Sequence, residues 1–214
     1  MASKIDYRRL FSLLLQPTGP VYVLDIRGRR WVTDRFVMFD AALAGVDAAV
    51  RDLPEGAYAV LATKPPVPHD VELKDAERLA EGLARKLDQL AHDGPHYRPV
   101  KPTPWSLDGP TGSVNRLLLR ETDDGPRGVF VNRDLIDSWW HRFFTTDGST
   151  ETAFEQAFDK DPIRVRRRRS VGQINPVTRQ WERYWFEDIV GYLMPVRVEA
   201  PAFPIDALEQ KGAA

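Results

Sequence analysis

Val21-Tyr-Val-Leu-Asp-Ile-Arg-Gly-Arg-Arg-Trp-Val-Thr-Asp-Arg-Phe-Val-Met-Phe39 holds two runs of strand-forming residues about a short turn containing Gly28. Val21–Ile26 reads as a strand, Arg27-Gly-Arg29 as the turn, and Arg30–Phe39 as the returning strand with a bend at Asp34-Arg35. Two such runs about a short turn read as a β-hairpin.

Helical signals flank the hairpin. Ser3 and Asp6 fit a capping box, and Tyr7, Leu10, Phe11, Leu14 and Leu15 follow at helical spacing until Pro17-Thr-Gly-Pro20. Asp40–Val50 is Ala-rich and reads as a short helix, and Gly56–Ala62 as a strand stopped by Pro65-Pro-Val-Pro68. The strongest helix is Asp75–Ala91. Ala76, Leu79, Ala80, Leu83, Ala84, Leu87 and Leu90 make one apolar stripe, and Glu77, Arg78, Glu81, Arg85, Lys86 and Asp88 occupy the other face.

Residues 93–112 hold five prolines and three glycines without periodicity, and read as a linker or long surface loop. Beyond it, Val114–Arg120 and Gly128–Val131 read as strands around the Asp123-Asp-Gly-Pro126 turn. A helix runs through Leu135, Ile136, Trp139, Trp140 and Phe143, and a further short helix is expected at Glu151–Phe158. Ile163–Val171, Trp181–Phe186 and Ile189–Val198 read as strands, and residues 201–214 as a tail. The expectation is an α+β chain of antiparallel hairpins and packed helices. It divides into an N-terminal half (1–104), a C-terminal half (105–200) and the tail, with a diverged internal repeat conceivable because each half pairs an apolar helix with hairpins.

Composition narrows the chemistry. The 214 residues are 43% apolar and 29% charged, with 30 basic against 31 acidic residues and a net charge of −1. That is ordinary globular composition, neither a polycation nor an acidic tail. The absence of cysteine excludes a disulfide scaffold, a thiol nucleophile and a zinc finger. The N-terminus shows no signal-peptide pattern and no apolar run approaches the roughly 18 residues of a membrane helix, so a cytoplasmic protein without membrane contact is expected.

No strong catalytic motif is present. His92 and His96 are four apart, but Gly94-Pro95 breaks the helix that would align them, so no metal site and no cofactor is expected. Gly109-Pro-Thr-Gly112 is too short for a phosphate loop and lacks the following Lys-Ser/Thr. Asp25 and Asp34 lie on facing strands of the hairpin and leave a metal-dependent nuclease as one alternative.

Two clusters point to binding instead. Arg164 and Arg166-Arg167-Arg168-Arg169 make the densest basic segment, and strand alternation places only two or three of these side chains on one face. They suit phosphate contact, or equally an edge strand guarded by charge. Trp139 and Trp140 are about 100° apart on one helix, so one is free to face a protein partner while the other packs inward.

Gly128-Val-Phe-Val-Asn-Arg-Asp-Leu-Ile-Asp-Ser-Trp-Trp140 resembles the strand-to-helix step that opens a domain of the bacterial and phage DNA polymerase processivity (sliding) clamps. Gly191-Tyr-Leu-Met-Pro-Val-Arg-Val198 resembles the closing strand of the bacterial clamp, with its Met-Pro step. The Tyr7–Leu15 helix and the hairpin holding Trp31–Asp34 could be a further domain of this kind. The resemblance implies a ring of six similar domains around double-stranded DNA, hence a homotrimer for a two-domain chain. It also implies helices that meet phosphates through Arg133, Arg142, Arg78, Arg85 and Lys86. The expectation is therefore a non-enzymatic, DNA-associated accessory factor in the (host) cytoplasm. The alternatives are a phage virion or assembly protein acting through a Trp-rich subunit interface, and the nuclease.

Overall fold

The hairpin read from Val21 to Phe39 forms as three strands. In the computed structural model, which describes residues 5–71, 73–108, 113–143, 150–158 and 160–195, helix α1 (Tyr7–Phe11) is followed by β1 (Val21–Ile26), β2 (Arg29–Thr33) and β3 (Val37–Asp40). The β1–β2 turn is the two-residue loop Arg27-Gly28, with φ of 56° and 71°, a geometry whose twist matches that of the flanking strands. Asp34 ends β2. Its carboxylate accepts the amides of Leu15 (2.6 Å), Gln16 (2.8 Å), Phe36 (3.0 Å) and Val37 (2.9 Å), which anchors both the bend and the exit from α1.

The chain continues through α2 (Asp47–Val50), β4 (Gly56–Ala59), β5 (Val67–Pro68), α3 (Leu73–His92) and a 3₁₀ turn at Gly94–His96. Then come β6 (Arg98–Asp108), β7 (Val114–Arg120), β8 (Arg127–Asn132), α4 (Arg133–Phe143), β9 (Thr150–Gln156), β10 (Ile163–Ile174) and β11 (Trp181–Leu193). The eleven strands form one sheet, ordered β5-β4-β1-β2-β3-β11-β10-β9-β6-β7-β8, and every pairing is antiparallel. Helices packed on a predominantly antiparallel sheet agree with the α+β expectation at that level.

Strand alternation sorts the side chains into two cores. Val21, Val23, Val32, Phe39, Ile163, Val165 and Phe154 face α1 and α4, where Leu10, Leu135, Ile136 and Trp139 close the layer. Tyr22, Leu24, Trp31, Met38 and Tyr192 face α3, whose Ala76, Leu79, Leu83, Leu87 and Leu90 cover them. An Arg27–Asp88 ion pair ties the β1–β2 turn to α3.

The centre of the sheet repeats itself. On one side of the β3·β11 pairing lie β3, β2 and β1, preceded in sequence by α1. On the other lie β11, β10 and β9, preceded by α4. The two helices meet on one face: Ser138 Oγ donates to the Ser12 carbonyl (2.6 Å) and the buried Trp139 indole donates to the Leu13 carbonyl (3.1 Å). Gly191 sits beneath them at the seam, where a Cβ would collide with the Met38 carbonyl and the Trp139 ring.

Several sequence expectations change. The Pro-rich stretch is not a loop over 98–108: it is β6, and the expected boundary at 104/105 falls inside it. Proline favours extended backbone, and the missing donors are accommodated because β6 pairs with β9 only at Arg98 and Pro99 and shifts register against β7 between Pro102 and Ser106. Glu151–Phe158 is not a helix. Residues 150–156 form β9, whose Phe154 joins the core while Glu155 meets arginines of β10. Trp181–Phe186 and Ile189–Leu193 are one strand, broken in register only by a bulge against Val165/Arg166. Asp6 caps α1, accepting from Arg8 N at 3.1 Å. Ser3, Gly109–Gly112, Phe144, Asp159, Val196–Val198 and the 201–214 tail lie outside the described residues.

Candidate nucleic-acid interface

The arginine run lies in the long strand β10, and alternation splits it. Arg164, Arg166 and Arg168 share the sheet face of α3, because their register partners include Tyr192 and Ile189 of that core. Acid meets them there. Glu155 is buried and accepts from Arg164 Nε (2.7 Å) and Arg166 Nε (2.8 Å), and Glu187 lies 3.4 Å from both Arg166 and Arg168. Aromatic rings complete the cover: the Arg164 guanidinium sits 3.6 Å over the Tyr97 ring and Arg168 4.7 Å over Trp185. These arginines are neutralised within the chain.

Arg167 and Arg169 face the other way, toward α1 and α4, in line with Ile163 and Val165. Arg169 pairs with Asp188 at 3.5 Å and remains half-exposed. Arg167 Nε is buried without a hydrogen-bond partner, as is Arg168 Nε on the other face, though Arg168 has Glu187 at 3.4 Å. Two helix arginines join Arg167. Arg9 of α1 donates to the Ala44 carbonyl (3.2 Å), and Arg142 of α4 donates to Ser12 Oγ. Burial pushes the Arg142 guanidinium below its ordinary range, and repulsion from Arg9 adds to this against Asp6. Burial lowers Arg167 as well. Asp188 and Asp40 oppose that shift, while Arg169 and Arg9 reinforce it. Arg9 thus repels both Arg142 of α4 and Arg167 of β10. A guanidinium is the side chain best shaped for phosphate oxygens.

The remaining sequence candidates are dispersed. Arg133 opens α4 and lies 3.6 Å from its neighbour Asp134. Arg78, Arg85 and Lys86 belong to α3 on the opposite face of the sheet. Arg78 and Arg85 are exposed, and Lys86 Nζ lies 3.5 Å from Asp161. Trp139 is fully buried in the chain's own core, and Trp140 is the member of the pair that reaches the surface, its ring 5.9 Å from Phe154. Asp25 and Asp34 are not joined in one site: Asp25 is paired with Arg30 (2.6 Å), and Asp34 is occupied by four backbone amides. Among the described residues no three His, Asp or Glu side chains gather in a metal-holding group, and His96 stacks 5.4 Å from Phe158.

Two parts of this surface were not foreseen. Arg9 carried no signal, because an Arg8-Arg9 pair on a five-residue helix is ordinary. The second is an arm. From Ser170 to Ile174 and from Trp181 to Trp185, β10 and β11 pair only with each other among the described residues, so this hairpin extends past the body. No described helix is long and apolar enough to cross a membrane. Comparison of the chain with protein-family models, with curated proteins and with solved structures finds no match.

Proposed function

We propose that this chain is a non-enzymatic, DNA-associated accessory factor of sliding-clamp-like character that holds duplex phosphates without reading sequence. The observation that carries the reading is the basic character of the face of α1 and α4, where Arg9 repels both Arg142 and Arg167 and Arg167 Nε lacks an acceptor. Two features add support. The helix-plus-three-strand unit recurs across the β3·β11 seam, and α4 is bonded to the residues that follow α1 on one face. The clamp resemblance assigns DNA contact to helices of this kind. Of the residues expected to reach DNA, the reading keeps Arg142, Arg167 and Arg169 and adds Arg9. It sets aside Arg166 and Arg168, whose charges are met by Glu155 and Glu187.

Titration of a labelled duplex at several salt concentrations tests it. Wild-type affinity falls steeply as salt rises. Arg142→Ala and Arg167→Ala each weaken binding to all sequences alike and reduce the log–log salt slope by about one. An unchanged slope in both variants removes the helix face from the DNA surface. Light scattering after gel filtration tests the ring: a discrete homotrimer of the 24.4 kDa chain supports encirclement, and a monomer at all concentrations refutes it.

A further inference from the structure

Beyond Ser170 the β10–β11 hairpin is a two-stranded ribbon with apolar groups on both faces. We infer that its free β11 edge is a self-association site, where a second copy of this chain adds its own β11 antiparallel, about a two-fold axis through Trp185. The inference is independent of the DNA reading above.

Charge does not select an anionic partner for this ribbon. Between Ser170 and Asp188 two arginines, Arg179 and Arg183, stand against three acids. Apolar exposure is what sets it apart. Trp181 (70% exposed), Ile174 (64%) and the exposed Trp185 lie on the α3 side, and Phe186 (49%) and Val171 (46%) on the other. Two contacts fix the first face: Trp181 lies across Gly172, and the Trp185 ring lies beneath Arg168. A flat partner laid on either face would leave the other in water. A strand added to the edge extends both faces at once and brings cross-strand neighbours to each apolar set.

The edge is open. β11 meets β3 only at Gly191, Tyr192 and Leu193, so from Trp181 to Ile189 its side away from β10 pairs with no described strand. No Pro or Lys interrupts this stretch, and its register against β10 is regular, so the usual guards of a free edge are missing.

The charges it does carry are self-complementary in one register. Backbone groups point outward at alternate residues of a strand, so the axis of a two-fold antiparallel pair passes through a residue and not between two. An axis through Trp185 sets Trp185 against its own copy, Tyr184 against Phe186, and Arg183 against Glu187. Arg183 is exposed and has no ion pair in its own chain among the described residues, and Glu187 is 55% exposed. Axes through Glu182, Arg183 or Glu187 bring like charges face to face, and those through Tyr184 or Phe186 leave Arg183 without a facing acid. The chosen register also sets Glu182 against Asp188. Both are already held in their own chain, Glu182 by Asn175 (2.8 Å) and Tyr184 (2.6 Å), Asp188 by Arg169 (3.5 Å). At roughly 150–250 Å² for a whole aromatic side chain, the exposed parts of Trp181, Trp185 and Phe186 come to about 300 Å² per copy. That is small for a stable dimer, so the pair is expected to come apart on dilution.

The chain has no cysteine, so an introduced one reports the register. Facing residues of an antiparallel pair have Cα atoms about 4.5–5.5 Å apart, within disulfide range. Under mild oxidation Trp185→Cys is expected to give a covalent dimer. Val177→Cys, on the 88% exposed turn position, is expected to stay monomeric. Cross-linking at 185 no stronger than at 177 overturns the axis. Sedimentation velocity without DNA, with Trp185 in place, is the second reading. Wild type is expected to double its mass as concentration rises. Arg183→Glu and Glu187→Arg each set like charges across the axis and are expected to weaken this association by about tenfold or more. An equimolar mixture of the two is expected to restore it, which a folding defect in either variant would not do. Association that neither variant weakens, or that the mixture fails to restore, overturns the proposal. So does a wild-type monomer at all concentrations. A discrete trimer whose mass both variants leave unchanged supports the ring and overturns the arm pairing.

Discussion

Arg166 and Arg167 are neighbours in sequence and opposites in electrostatics. Arg166 points to the α3 face, where Glu155 and Glu187 receive it. Arg167 points to the helix-pair face, where burial and the charges of Arg169 and Arg9 work against it while Asp188 and Asp40 offset them only in part. One face of β10 has spent its charge on holding β9, β10 and β11 together, and the other retains charge beyond what the fold uses. A basic run in sequence is therefore not a basic surface. Function is to be sought where charge is kept at a cost to stability.

The largest expected effect comes from breaking the neutralised face. Glu155→Ala leaves the part-buried Arg164 and Arg166 beside each other without their carboxylate. It is expected to destabilise the fold by about 3 kcal/mol, the low end of the range for breaking a buried ion pair because the arginines keep some solvent contact, read as a shift of the urea midpoint. A variant of wild-type stability would show that Glu187 and the aromatic cover suffice. Next comes the seam between the halves. Gly191→Ala forces a methyl group against the Met38 carbonyl and the Trp139 ring. The expected cost is about 1–3 kcal/mol, with a loss of near-ultraviolet circular dichroism from the repositioned indole.

The sharpest contrast is smaller in energy. Arg167→Met removes a partly desolvated, repelled charge and keeps the aliphatic stem, so thermal stability is expected to hold or rise slightly while duplex affinity falls. Arg166→Met removes a charge that Glu155 requires, so stability is expected to fall while the salt slope of DNA binding stays put. If the two variants behave alike in both assays, the division of the strand into a structural and a binding face is wrong.

The smallest effect checks the pairing that replaced the expected carboxylate site. The hydrogen bond from Arg30 holds the Asp25 carboxyl below its ordinary range against a small opposing effect of burial. A lowered carboxyl pKa contributes stability above the unfolded value near 3.8, and this contribution is lost as pH falls through the folded value. Nearly half of the Asp25 side chain is solvent-exposed, so screening keeps the contribution to roughly 0–1 kcal/mol. Asp25→Asn should thus be slightly less stable than wild type at pH 7 and indistinguishable from it near pH 2. A difference that persists in acid would mean that the neutral side chain, not its charge, matters.

Much of the element list was legible in the chain, and the failures have physical causes. Helix α3 is read from its unbroken apolar stripe, and β7 from Val114 to Arg120 matches to the residue, because patterns set by a single core-facing side are local. Strand β6 was hidden by its prolines, which mark loops when backbone donors are needed. Here much of the strand makes no demand for them. Strand β9 was hidden because Glu-Thr-Ala-Phe-Glu-Gln-Ala suits a helix about as well, and only pairing with β10 makes Glu155 a buried ligand for arginines. The arginine run was visible, as was the rule that a strand divides it. Which half would be neutralised was not visible, since Glu155, Glu187 and Arg9 are 11, 21 and 157 residues from Arg166 in sequence.

Local chemistry alone determined the α3 stripe, the Arg27-Gly28 turn, the strand-to-helix step at Asn132-Arg133 and the absence of any thiol-based function, because each depends on residues within a few positions of one another. Only the tertiary structure decided that one sheet runs through both halves, that Trp139 is core and Trp140 surface, and that Arg9 lies where it repels both Arg142 and Arg167. Those outcomes depend on long-range antiparallel pairing, β3 against β11 above all. In such pairing a shift of one residue would exchange every inward side chain for an outward one.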